Sequence, residues 1–336
     1  MLQTFFAAAA LQLGYNATLV TIGAGLLGIA AGAGGSFLFL RKRALVSDAV
    51  AHATLPGVGL AFLVMVAFGG DGRNLPGLLA GSAASAAAGL YLVDWITRGT
   101  RLAEDAAIGA VLSVFFGAGI VLLTVIQTLD TGRQAGLEGF LLGSTAGMLF
   151  QDAVVIAAGG ALTVAAIVLL RRPMTAVAFD PEYAASTGTN VRAIDLAMMA
   201  LVMAVTVIGL KIVGLILIVA LLIIPAVTAR FWTDRTDRLV LYAGLFGGAS
   251  GYVGAAVSAS APGLPTGPII VLTAFGLFLA AMLFAPQRGL VAAALRHRQF
   301  RLRVHERQGL LAIARGERIF DGLTLRVLTG RGLIRA

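Results

Sequence analysis

The sequence predicts an all-α polytopic membrane protein with about nine transmembrane helices. Three observations lead there. Hydrophobic residues make up 59% of the 336 positions and charged residues only 12%, about half of the roughly 25% usual in soluble domains, and mean hydropathy is +0.93. The apolar residues gather into runs of about 17–25 positions that nearly exclude charge, enough to cross a hydrocarbon core of roughly 30 Å at 1.5 Å per residue. The cationic residues fall between the runs and cluster on alternate sides. This composition excludes an ordinary soluble enzyme, a disordered chain and a coiled coil. A transmembrane β-barrel would need alternating stretches of about ten residues, whereas these runs are continuous.

Residues 1–13 are apolar (FFAAAALQL) but short, and no basic region precedes them, which argues against a signal peptide. The first span reads as Ala17–Leu40; its GAGLLGIAAGAGG stretch puts small residues at helical spacing, which lets helix backbones approach in lipid. The basic turn Arg41-Lys42-Arg43 leads into Ala44–Phe68, followed by Leu75–Ile96 and Ala106–Leu129. Glu104 and Asp105 suit the positive end of that fourth helix. Phe140–Phe150 is too short to span and reads as a re-entrant or interfacial piece. Ala153–Leu170 is the fifth span. Lys211 separates the sixth and seventh, Ile194–Leu210 and Ile212–Ala229, and reads as part of a tight outer turn. Leu239–Ala259 and Ile269–Ala285 complete the set. Residues 1–286 thus form a membrane domain and 287–336 a basic tail.

With the N-terminus outside, 22 of the 25 Lys and Arg residues lie on the inner side and only Arg73, Arg133 and Lys211 outside. This asymmetry predicts an N-out, C-in orientation. It also accounts for the pI of about 10.9 without nucleic acid.

Asp48 and His52 stand out because they lie inside the second apolar run. Their i, i+4 spacing puts both on one helix face, about 5–6 Å apart at Cβ. An Asp within the membrane costs at least about 2.5 kcal/mol, so such a residue usually marks a function. Carboxylate and imidazole together suit a divalent Zn²⁺, Mn²⁺ or Fe²⁺. Two ligands are too few for a closed structural site, which fits an ion that must leave. A plain Asp–His hydrogen bond near the inner interface and a proton relay are the other readings. Asp94 and Asp152 sit near segment ends, within reach of the interface, and Asp234 and Asp237 read as a solvated loop. The chain has no Cys, no phosphate-binding G-x-x-x-x-G-K-[ST] loop, no G-x-S-x-G elbow and no H-E-x-x-H, so nucleophilic, ATP-hydrolysing and zinc-protease chemistry lack their residues.

The longest inner loop, RRPMTAVAFDPEYAASTGTNVRAID, contains a predicted short helix. Asp180 is its N-cap, Pro181 its first residue, Glu182 complements its positive end and Gly188 closes it. Such a capped segment between two spans either docks against another protein or simply closes the loop.

Four stretches, GSFLFLRKRALVSDAVAHATLPGVGLAF, DPEYAASTGTNV, GLKIVGLILIVALLIIPAVTAR and LPTGPIIVL, together resemble the permease subunits of the ABC-3 family, the ABC importers of zinc, manganese and iron. The resemblance covers roughly residues 15–286. It implies a type II ABC importer fold in the plasma (inner) membrane, with two permease subunits, identical or paralogous, above two cytoplasmic ATPase subunits. An extracytoplasmic metal-binding protein would deliver the ion, and no cofactor would be permanently bound. Asp48 and His52 match the family's metal-path residues. Asp180, Pro181, Glu182, Tyr183, Ala184, Ala185 and Gly188 match its ATPase-coupling helix, where Thr187 departs from the leucine common at that place.

The tail departs further. It reads as a helix (Val304–Ala314), a turn at Gly316 and a helix (Asp321–Leu328). It faintly resembles the start of a winged-helix domain, with the wing absent. A basic arm on anionic lipid or on the ATPases is therefore expected rather than DNA binding, and His297 and His305 are expected to be solvated. Rival readings are an ion-coupled secondary transporter using Asp48–His52 as a proton relay, a membrane scaffold or intramembrane enzyme, and a siderophore- or cobalamin-type ABC permease.

Overall fold

The computed structural model describes residues 2–12, 14–70, 72, 74–129, 148–261, 263–316, 318 and 321–334. Among these, every regular element is a helix: α1 (Leu2–Ala9), α2 (Tyr15–Leu40), α3 (Ala44–Ala67), α4 (Leu75–Gly99), α5 (Glu104–Gln127), α6 (Phe150–Phe179), α7 (Pro181–Ser186), α8 (Val191–Trp232), α9 (Thr236–Ala259), α10 (Thr266–Phe284), α11 (Leu290–Ala314) and α12 (Gly322–Gly330). Nine stretches among the described residues are long and apolar enough to cross a membrane, two of them within α8. The segment expected at Phe140–Phe150 lies largely outside the described residues, as does Arg133. The chain divides into two compact units, Met1–Phe278 and Leu279–Ala336.

In the first unit α2 is the central element, packed against α9, α8 and α6. The glycine-rich run dictates this. A Cβ added to Gly28 would collide with the carbonyl of Gly247, and one on Gly32 with that of Ala243, so the two backbones touch without side chains between them. The share of each span buried within the protein shows the consequence: 67% for α2 but 17% for α6 and α10, which lie at the rim. Around a second axis, α3 packs on α4, α5 and α8.

The helix ends follow local chemistry. Asn74 Oδ1 accepts from Gly77 N–H at 3.2 Å and starts α4; Asn190 Oδ1 accepts from Ala193 N–H at 3.0 Å and starts α8. Pro173 stands inside α6 without ending it. Met174 and Val177, just beyond it, are buried with Phe37 of α2 and Met198 of α8, and this burial outweighs the lost backbone bond. The inner loop predicted from Arg171 is thus mostly helical, because α6 continues to Phe179.

The reversal between the sixth and seventh spans also differs from expectation. At Lys211 the backbone is still helical, and the break comes at Gly214, with φ +77° and ψ 170°. A Cβ on Gly209 would meet Ile218 Cδ1 at 2.5 Å, whereas nine residues of straight helix span about 13.5 Å. The chain therefore folds back sharply at Gly214. That backbone region is essentially closed to residues with a Cβ. Gly214→Ala is expected to lower the yield of folded protein and the midpoint of heat-induced aggregation in detergent, consistent with strain of about 1–3 kcal/mol.

In the second unit α11 begins at Leu290, fourteen residues before the expected Val304. Its Gly309 lies under Thr324 and Leu328 of α12, and Arg331 pairs with Glu306 at 2.7 Å. His305 is not simply solvated as expected: its Nδ1 lies 3.0 Å from both Asp321 Oδ2 and Thr324 Oγ1. Asp321 also accepts from the N–H and hydroxyl of Thr324, which holds its carboxyl below the usual range.

Candidate functional site

Asp48 and His52 occupy the second and third turns of α3. At 1.5 Å per residue they stand about 6 and 12 Å along the axis from its start. Asp48 Oδ1 lies 3.4 Å from His52 Nε2, too long for a good hydrogen bond but suited to two donors that share a third partner. The Asp48 side chain is 39% exposed and that of His52 20%. His52 packs edge-on against Phe116 of α5, with centroids 5.0 Å apart. Its Nδ1 is buried and has no hydrogen-bond partner among the described residues.

Asp48 and His52 share one face of α3, whereas Leu60 and Val64 stand about 80–160° further round the helix. Leu60 and Val64 are more than half exposed, so the later half of α3 presents an apolar surface. An apolar cleft of about 500 Å³ between α3, α4 and α5 runs beside it. Asp48 and His52 are a partly exposed polar pair within an otherwise apolar span. Among the described residues no three His, Cys, Asp or Glu side chains converge to hold a metal, and this chain offers two donors at that spot.

Five other acidic residues are engaged elsewhere. Asp94 pairs with Arg98 at 2.7 Å. Asp152, 4% exposed, accepts from the N–H of Leu149 at 3.0 Å at the start of α6. Asp234 pairs with Arg230 at 3.1 Å, and Asp237 faces Arg171 at 3.7 Å. Glu104, besides standing in the first turn of α5, binds Arg43 Nε at 2.8 Å.

The short helix is α7. Asp180 Oδ1 caps it by accepting from Tyr183 N–H at 2.9 Å. Pro181 opens it, and Glu182 stands in the first turn. Gly188, with φ +84°, closes it: its N–H bonds the carbonyl of Ala185 and that of Thr189 bonds Ala184, both at 3.0 Å. Ala184 is fully buried among Val177, Met174 and Phe37, whereas Tyr183 is 62% exposed. One face of α7 is thus anchored to the ends of α6 and α2, and the other is free. Thr187 Oγ1 donates to Ala184 O at 2.9 Å.

A family model, the ABC 3 transport family, matches residues 15–285, which is all nine spans and both features just described. The chain belongs to the ABC 3 transport family. It is 43% identical over 298 residues to the manganese transport system membrane protein MntC of Bacillus subtilis, covering 89% of this chain and 67% of the relative. It is 37% identical to the zinc transport system membrane protein TroC of Treponema pallidum, covering 86% and 95%. Among solved structures it resembles PsaBC from Streptococcus pneumoniae in complex with Fab, with a TM-score of 0.73 and 29% identity, covering 86% of this chain and 98% of that one. This ABC 3 family chain is a multi-pass membrane protein and a transport-system permease.

One feature of this family member escaped the sequence reading. Asp195, at the start of α8, receives Arg41 Nη2 at 3.0 Å and Arg43 Nη1 at 2.7 Å. Burial of Arg43 works to lower its pKa, but the hydrogen bond and charge of Asp195, with Glu104, outweigh that and hold it above its ordinary value. The signal available was an acid near the start of an apolar span, separated by about 150 residues from the arginines it binds.

Proposed function

We propose that the chain is the membrane-spanning permease of an ABC importer that passes a divalent transition-metal ion, Mn²⁺, Zn²⁺ or Fe²⁺, to the cytoplasm. The observation that carries this reading is the Asp48–His52 pair, two metal-type donors that stay partly exposed inside an apolar span. A partly exposed ionisable pair inside a membrane span is costly, so a second permease copy, identical or paralogous, covers it. Two copies bring two carboxylates and two imidazoles together, a ligand number suited to these ions. The ion is cargo: the donors replace part of its hydration shell and release it, and a site split between two subunits opens when they move apart.

ATP hydrolysis belongs to a separate ATPase, because this chain has no phosphate-binding loop of the Walker type. The free face of α7, with Tyr183 and Glu182, docks into that ATPase. This places α7 and the arginine-rich turns on the cytoplasmic side, and the N-terminus outside, in agreement with the cation asymmetry. An extracytoplasmic metal-binding protein supplies the ion. The names of the relatives support a metal cargo and differ on which metal, manganese in one and zinc in the other.

The test is elemental analysis of cells offered manganese, zinc and iron together, with the complete transporter and with this chain deleted. Accumulation of one metal only when the chain is present is expected, and that result names the cargo. Equal content in both would sink the proposal. Uptake driven by a proton gradient without the ATPase would instead support the proton-relay reading.

A further inference from the structure

The turn between α2 and α3 is built in an unusual way. Arg43 N–H bonds Leu38 O at 2.9 Å and Lys42 N–H bonds Phe39 O at 3.1 Å, closing α2 with Lys42 in the left-handed position, φ +58°. Glycine normally fills that place, because a Cβ is crowded against the following carbonyl there. The tight closure leaves Arg41 and Arg43 on either side of one carboxylate: Asp195 Oδ1 takes Arg41 and Oδ2 takes Arg43.

Arg41 has a second contact. Its Nη1 donates to the carbonyl of Val177 at 2.9 Å. In a continuing helix that carbonyl would accept from the N–H four residues on, but residue 181 is proline and has none. The residue that opens α7 thus leaves a carbonyl without a backbone partner at a fully buried position, and Arg41 supplies the missing donor. A cation is also electrostatically favoured at that C-terminal end of α6.

These contacts make a continuous chain. It runs from α7 through Val177 to Arg41, across Asp195 to Arg43, and on to Glu104 at the start of α5. Arg43 is the N-cap residue of α3, five positions before Asp48. Because Arg43 is turned to Asp195 and Glu104, it is not the partner of Asp48. A cavity of about 160 Å³ borders the network between Arg43, Asp94, Arg98, Glu104 and Asp195, space in which these side chains can rearrange.

We propose that Arg41, Asp195 and Arg43 are positioning residues that transmit displacement of α7 to the start of α3, and so to the Asp48–His52 pair. The inference rests on the permease reading for its purpose, and on the hydrogen bonds alone for its path. Two strong charge-assisted bonds on one carboxylate make the α2–α3 turn and the start of α8 move as one piece. The Val177 bond attaches that piece to the segment that leads into α7.

The test uses the complete transporter and the absence of native cysteine. One spin label is placed on α3 at Leu45→Cys, an exposed position, and in a separate variant on α7 at Ser186→Cys, also exposed. On ATP binding both labels are expected to respond in the otherwise native complex. With Asp195→Asn added, the α7 label still responds and the α3 label does not. Metal moved per ATP hydrolysed falls by roughly 5–150-fold, the span of typical coupling between sites. Arg41→Lys is the second variant: its single ammonium replaces a fork that spans Asp195 and Val177, and the same uncoupling in milder degree is expected. An α3 label that responds as before in either variant overturns the proposal. So does failure of both variants to assemble, which would assign the network to folding alone. If the native complex moves no metal while the labels respond as described, the permease reading fails and the mechanical link stands.

Discussion

Replacing His52 with alanine is expected to reduce metal accumulation to the level of cells lacking the transporter, with assembly unchanged. The side chain contributes little to the fold. It is partly exposed, its Nδ1 bonds nothing among the described residues, and its contact with Asp48 is 3.4 Å long. On the two-copy reading proposed above, alanine removes one metal donor from each copy. Loss of mere outer partners of a metal ligand typically costs 10–100-fold in affinity, and loss of a direct ligand from both copies of a two-copy site exceeds that. Asp48→Asn should act in the same direction, because the amide keeps the shape and loses the charge that neutralises the cation. Elemental analysis reads uptake, and co-purification of the complex reads assembly. Uptake at the native level by His52→Ala would remove the pair from the path.

Gly28→Leu is expected to abolish folding of the first unit. A Cβ alone at this position runs into the carbonyl of Gly247, and the obstacle is backbone on a central helix, which cannot swing aside as a side chain can. Overpacking a close-packed interior costs typically about 1–3 kcal/mol when side chains can adjust, and here they are not what is in the way. The control is Gly276→Ala on α10, where an added Cβ meets nothing within 4 Å. There the better helix propensity of alanine should leave stability unchanged or raise it by up to about 1 kcal/mol. Yield of monodisperse protein in detergent distinguishes the two. Normal yield of Gly28→Leu would mean that α2 and α9 separate more easily than their contact implies.

Much of the fold was legible in the chain. The expected spans and the observed helices agree to within three residues at most ends, because exclusion of charge from hydrocarbon is a strong and local signal. The caps of α7 were legible for the same reason: Asp180, Pro181 and Gly188 each act within a few residues. The exceptions share a physical cause. The fifth span was expected to end at Leu170, before Arg171, and burial of Met174 and Val177 against other helices kept α6 going past Pro173. Lys211 looked like the turn because charge marks an interface, yet a reversal needs a backbone conformation, and Gly214 three residues on can adopt it. His305 looked solvated among arginines until α12 brought Asp321 and Thr324 to it.

The candidate site divides along the same line. The sequence by itself determined that Asp48 and His52 share a helix face inside an apolar span, since that depends only on helical periodicity and composition. Tertiary structure decided that the pair stays partly exposed beside Phe116, that α2 is the centre of the bundle, and that Arg41 and Arg43 converge on Asp195. Each of these rests on contacts between residues distant in the chain, whose pairing is set by which helices pack together, and neither spacing nor composition encodes that.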